Sequence, residues 1–183
     1  MKEDLRVSRT KKLLLNSLLK LAEEDGRKLS EISVQEICDE AMVHRTTFYR
    51  YYTDKYDLLL SVSDKVKNCS IDLRKKNILS PFSFFIDHPP FPNHEKIVRN
   101  NLNDIHFQNA IQKIVIEQLT QDLDEFISIN VLPVPLDIAV QVYSNTVSQL
   151  LGTWLLNDKK PSATTMDKYL QATLNPFYFE LLK

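Results

Sequence analysis

Residues Ser33–Leu59 read SVQEICDEAMVHRTTFYRYYTDKYDLL. Ser33 and Glu36 stand in the S-x-x-E order of a capping box, in which two side chains satisfy backbone N–H groups at a helix start. The spacing predicts a short helix from there, with Ile37, Cys38 and Ala41 on its buried face and an end around Glu40–Met42. Val43 is the apolar plug of a tight turn. His44 takes the capping place before a second short helix, Arg45 to about Tyr52, anchored in the core by Phe48. Thr46, Thr47, Tyr49, Arg50 and Tyr51 are left for the other faces. Two short helices across a tight turn, the second offering hydroxyls, aromatics and arginines, suit insertion into the major groove of DNA.

Working outward, Leu14, Leu15, Leu18, Leu21 and Ala22 recur at helical spacing before this stretch, which predicts an amphipathic helix of about 16 residues stopped near Gly26. After it, Asp54 is the expected N-cap of a fourth helix from Lys55 through Leu58, Leu59 and Val62 to about Lys75. The net charge of −1 does not by itself announce a nucleic-acid binder, but its distribution is uneven. Residues 1–20 hold six basic and two acidic side chains, residues 21–41 two and seven, and residues 42–55 three and one. Positive charge therefore sits on the N-terminal arm and around the second short helix, where phosphate contacts would be wanted.

With 43% hydrophobic residues, only 2 Gly and long apolar-periodic runs, the 183-residue chain is expected to be all-α. No stretch approaches the roughly 18 apolar residues that span a membrane, and the N-terminus lacks the apolar run of a signal peptide. Cys38 and Cys69 lack metal spacing and read as free thiols of a reducing cytoplasm. His44, His88, His94 and His106 show no metal pattern. There is no Gly-rich phosphate loop, nucleophile elbow or CxxC. The expectation is therefore a non-enzyme with no cofactor and no metal.

In the C-terminal two-thirds, residues 77–93 interleave Pro81, Pro89, Pro90 and Pro92 with Phe82, Phe84, Phe85 and Phe91. This segment reads as a packed loop, or a lid, too proline-rich for one helix. Helices are expected from about Asn93 to Leu102, from Phe107 to Leu123, from Leu136 to Leu156 after the Pro133–Pro135 break, and from Thr165 to Leu182. Pro176 should kink or break the last.

RTTFYRYYTDKYDLL resembles the recognition-helix signature of TetR/AcrR-family transcriptional regulators of the Firmicutes type. The upstream order, an amphipathic helix and Gly26, then Ser33-Val34, Ile37-Cys38, Ala41 and Val43, is similar to that family as well. The resemblance covers roughly residues 9–60. Two positions depart from it: Met42 stands where the turn usually has glycine, and His44 where a small cap residue is usual.

The resemblance implies a three-helix helix-turn-helix DNA-binding domain over residues 1–58 and a larger helical domain for effector binding and dimerisation over 59–183. It assigns DNA contact to Val34 and Gln35 at the start of one helix, to Arg45, Thr46, Thr47, Tyr49 and Tyr51 on the next, and to Lys55 as a phosphate contact. Leu150, Trp154, Leu170, Leu174 and Phe177, on the last two helices, would serve a homodimer interface, with intramolecular core as the other reading. His106, Phe107, Phe126, Tyr143 and Trp154 are candidates for an effector pocket, again against ordinary core. The implied function is a dimeric regulator on a palindromic double-stranded operator, a repressor released by a small-molecule or protein effector. The alternative is an adaptor or coactivator whose C-terminal domain binds a protein partner. Operator, effector and regulated genes are not written in the sequence.

Overall fold

A computed structural model describes residues 5–23, 27–63, 69–126, 132 and 134–174. The fold is all-α, with no strand among the described residues. The helices are α1 (Leu5–Glu23), α2 (Val34–Ala41), α3 (Arg45–Tyr51), α4 (Lys55–Leu60), α5 (Ile71–Leu79), α6 (Pro81–Asp87), α7 (His94–Asn100), α8 (Ile105–Phe126), α9 (Leu136–Leu156) and α10 (Ala163–Thr173). Gly26, Pro133, Pro176 and Phe177 lie outside the described residues.

Packing divides the chain into two units, residues 1–62 with 93–110, and residues 63–92 with 111–183. In the first, α1 packs on α2, α4 and α7, and α2 on α3. Leu14, Leu18, Ile37, Phe48, Leu58, Leu59 and Ile97 are buried there. The expected division after residue 58 did not include α7 or the start of α8, which pack with the N-terminal helices. Asn101 explains part of this: its buried side chain accepts from Leu29 N at 2.8 Å and donates to Ile97 O at 2.8 Å, so each end of the amide has a backbone partner.

Local chemistry starts α2 and α4 as their sequence suggests. Glu36 N donates to Ser33 Oγ at 3.2 Å and Ser33 N to Glu36 Oε2 at 2.8 Å, the capping box in full. The Ser33 backbone N–H, the Ser33 hydroxyl and Arg27 together hold the Glu36 carboxyl down from an ordinary 4.5 to about 2. A depressed carboxyl stabilises the fold above its unfolded value and loses that contribution as pH falls through its folded value. Glu36→Gln is therefore expected to melt below the parent protein at pH 6, with the difference closing between pH 4.5 and about 2. Melting curves at both ends of that window check it. Asp54 caps α4, accepting from Tyr56 N and Asp57 N, both at 2.8 Å.

In the second unit Ile78, Phe82, Leu119, Leu123, Val140, Tyr143, Trp154, Met166 and Leu170 form one core. Three expectations are corrected here. The fourth helix does not run on to Lys75: it ends at Leu60, and Ser70 Oγ accepts from Leu73 N to start α5 afresh. The segment 77–93 is not a loop throughout, because Pro81 sits at the first position of α6, where a missing N–H costs nothing. The last helix stops at Thr173, and Leu174 is extended. The start of α6 is held from outside by the buried Asp167 of α10. Its carboxylate accepts from Phe82 N at 2.9 Å, Ser83 N at 3.2 Å and Ser83 Oγ at 2.5 Å.

Candidate nucleic-acid interface

The turn between α2 and α3 closes on backbone bonds from Met42 N to Asp39 O and Val43 N to Cys38 O. Met42 is left-handed there, with φ 53° and ψ 43°, a conformation glycine takes without steric penalty. Its side chain is 93% exposed. His44 caps α3 with its carbonyl, which accepts from Thr47 N at 2.8 Å, while its ring makes no capping bond.

The seven residues of α3 sort by face. Phe48 is fully buried, and its ring meets Tyr49 and Tyr52 at centroid distances of 5.3 and 5.8 Å. Tyr52 is buried too, so of the aromatic pair Tyr51-Tyr52 it is the second that enters the core. Arg45, Thr46, Tyr49 and Arg50 are exposed, and Thr47 is half-buried. Arg45 and Tyr49 stand one turn apart and hold each other: a guanidinium N–H donates to the Tyr49 hydroxyl at 3.4 Å, and the guanidinium lies 5.7 Å from the ring centre. This bond raises the Arg45 pKa, and the guanidinium is charged at physiological pH in any case.

Of the other residues assigned to DNA, Val34 is half-buried and Gln35 exposed, its amide donating to Asp39 at 2.7 Å. Gln35, Asp39, His44, Arg45 and Thr46 are brought together around one open depression of about 480 Å³. Tyr51 stands apart from it, with the Lys11 ammonium of α1 5.9 Å from its ring centre. Lys55 is the most committed. Its ammonium donates to Ile32 O at 2.6 Å and Ser30 O at 3.0 Å, pinning α4 to the segment before α2. Burial lowers its pKa.

Residues that sequence reasoning passed over also hold this unit. Tyr56 Oη donates to Asp104 at 2.7 Å, and Asp104 accepts from His106 N and Phe107 N at the head of α8. Burial alone would raise the Asp104 carboxyl, but these bonds bring it below its ordinary value. The signal available was an aspartate just ahead of an apolar-periodic run.

The five residues assigned to an effector pocket do not share a unit. His106 and Phe107 belong to the first, Phe126, Tyr143 and Trp154 to the second. Tyr143 and Trp154 are buried in its core with Phe126 packed against them. Their donors are spent inside the chain, Tyr143 Oη on Ile78 O at 2.7 Å and Trp154 Nε1 on Pro161 O at 2.6 Å.

Solved structures share this architecture over nearly the whole chain. A TetR transcriptional regulator from Streptococcus agalactiae superposes with a TM-score of 0.57 at 19% identity, covering 92% of this chain and 94% of its own. The chain has a TetR-type fold. NalD of Pseudomonas aeruginosa, the secondary repressor of the MexAB-OprM multidrug efflux pump, gives 0.56 at 15% identity, covering 93% and 95%. A protein of Syntrophomonas wolfei assigned to the TetR family gives 0.54 at 16%, covering 96% of each chain. No protein-family model matches the sequence. No curated protein matches it either. At these identities the TetR-type likeness is one of fold, so what the chain does has to be argued from its own side chains. No helix among the described residues is long and apolar enough to cross a membrane.

Proposed function

We propose that the protein is a DNA-binding transcriptional regulator, with residues 1–58 reading DNA and residues 59–183 carrying dimerisation and effector binding. The observation that carries this reading is the outward face of α3. Arg45, Thr46 and Tyr49 are exposed on one short helix whose inward residue, Phe48, is fully buried. Arg45 suits a guanine edge, and Thr47 a phosphate or a thymine methyl. The basic residues Arg6, Arg9, Lys11 and Lys12 on α1 add charge for the phosphate backbone. Lys55 spends two of its three donors on carbonyls, which leaves one for a phosphate.

The test is selection of a DNA site from random duplexes, followed by titration of variants. Thr47→Ala and Tyr49→Ala are each expected to weaken the selected site by roughly 1–3 kcal/mol per lost contact, with melting temperature little changed. Unchanged affinity in both would remove α3 from the interface.

The functional unit is a homodimer through α9 and α10. Trp154, Leu170 and Leu174 are buried in the chain's own core with Leu150 packed against it, so the apolar side chains that support a dimer are instead the half-exposed Ile138, Val142 and Leu156 on α9 and Tyr169 on α10. Two recognition helices about a two-fold axis read a palindrome where one reads too few bases. Light scattering should return twice the 21.3 kDa of the chain, and a monomer at micromolar concentration contradicts the dimer. Repression relieved by an effector is the regulatory sense we assign; NalD, a protein of similar fold, is a repressor, which supports the first half of it.

A further inference from the structure

Arg74 of α5 meets Gln118 and Asp122 of α8 in a polar cluster within the second unit. Arg74 Nη1 donates to Asp122 Oδ1 at 2.7 Å, and Gln118 Nε2 donates to the same oxygen at 2.9 Å. Arg74 Nη2 reaches outward to Glu125 at 2.8 Å. Asp122 is 1% exposed and Gln118 8%. Three buried atoms of the cluster, Arg74 Nε, Gln118 Oε1 and Asp122 Oδ2, have no hydrogen-bond partner.

Such atoms are unfavourable, and an ion pair this deep is a weak source of stability. A helix selected for packing alone would be apolar here, as its neighbours Leu119 and Leu123 are. Apolar surface adjoins the cluster: the Arg74 guanidinium lies 5.0 Å from the ring centre of Phe126, which packs on the same apolar core.

We propose that Arg74, Gln118 and Asp122 form the polar end of the effector site and take a neutral head group bearing both N–H donors and a carbonyl, such as a primary amide, urea or lactam, on an apolar body. This rests on the effector reading above. The unmet groups are two acceptors and one donor, the complement of an amide. Arg74 and Lys75, whose ammonium lies 5.7 Å from the Phe126 ring centre, balance Asp122 and Glu125, so a charged head would add a charge without a counter-ion. The three atoms are closed to solvent in this state. Arg74, with 14% of its side chain exposed, is the member of the pair that reaches solvent.

The experiment titrates the full chain with benzamide, benzoate and benzamidinium, matched in shape and differing in charge, by ligand-detected NMR. Benzamide should bind at least tenfold more tightly than either ion. Gln118→Met keeps the ion pair and most of the volume, and Arg74→Lys keeps the charge but removes Nε. Each should weaken benzamide at least fivefold, so a fold failure in one leaves the other decisive. Absence of benzamide binding, equal binding of all three probes, or undiminished binding in a folded variant overturns the proposal. Operator titration without probe is run in parallel. Failure of the probes with operator binding intact removes the cluster alone, whereas loss of operator binding removes the regulator reading.

Discussion

Asp167→Ala is expected to lower the unfolding free energy by about 3 kcal/mol, a large share of the 5–15 kcal/mol typical of a folded domain. Asp167 is buried and sits at the N-terminus of α6, where it accepts two backbone N–H groups and one hydroxyl. Alanine removes the acceptor and leaves Phe82 N, in the core, with nothing to donate to. It also removes a negative charge from the positive end of a helix dipole. Asp167→Asn should recover less than half, because one of its two terminal atoms then donates toward donors. Urea unfolding of the three proteins measures this. A loss below about 1 kcal/mol for alanine would mean that α6 is held by its Phe82 packing and not by the carboxylate.

The second large effect is on DNA. If Arg45 reads a base in each protomer of the proposed dimer, Arg45→Ala removes two contacts at roughly 1–3 kcal/mol apiece, and operator affinity should fall about thirtyfold to twenty-thousandfold. Binding to random duplex should fall far less. Lys55→Ala is expected to differ in kind. A lost phosphate contact flattens the log–log salt slope by about 0.9 per protomer and weakens both DNAs alike. Because the Lys55 ammonium also bonds two carbonyls, the variant will be less stable, and its titrations belong at a temperature where it is folded. An unchanged slope would restrict Lys55 to pinning α4. Equal losses on operator and random DNA for Arg45→Ala would strip it of base readout.

What could be read from the residues was what short-range chemistry decides. The Ser33–Glu36 box, the Asp54 cap, the Phe48 anchor and α9 from Leu136 to Leu156 all follow from pattern within a few positions. The exposed face of α3 followed in the same way once Phe48 fixed which side is inward. The break between α4 and α5 escaped because the apolar spacing runs on through it, with only Ser70 to mark the restart. In α6 proline was read as a breaker, although at a helix start it is a former. Partnerships across the chain left no local trace. Asn101 with Leu29 spans 72 residues, and Asp167 with Phe82 spans 85. Lys55 belongs to this class, since its bonds to the carbonyls of Ser30 and Ile32, more than twenty residues away, leave no mark in the sequence around it.

Asn101 bears on how the protein is made. The first unit is not a contiguous piece of chain: its N-terminal helices lean on α7 and on the amide that receives Leu29 N. On a ribosome, residues 1–62 emerge first and must wait for about forty more before that partner is available. Until then the backbone at Leu29 has no amide to bond, and the surface of α1 that meets α7 stays uncovered. A nascent chain stalled before residue 93 would thus carry a complete α3 on an incomplete support, and the first unit would close only after translation had passed through the segment that belongs to the other unit.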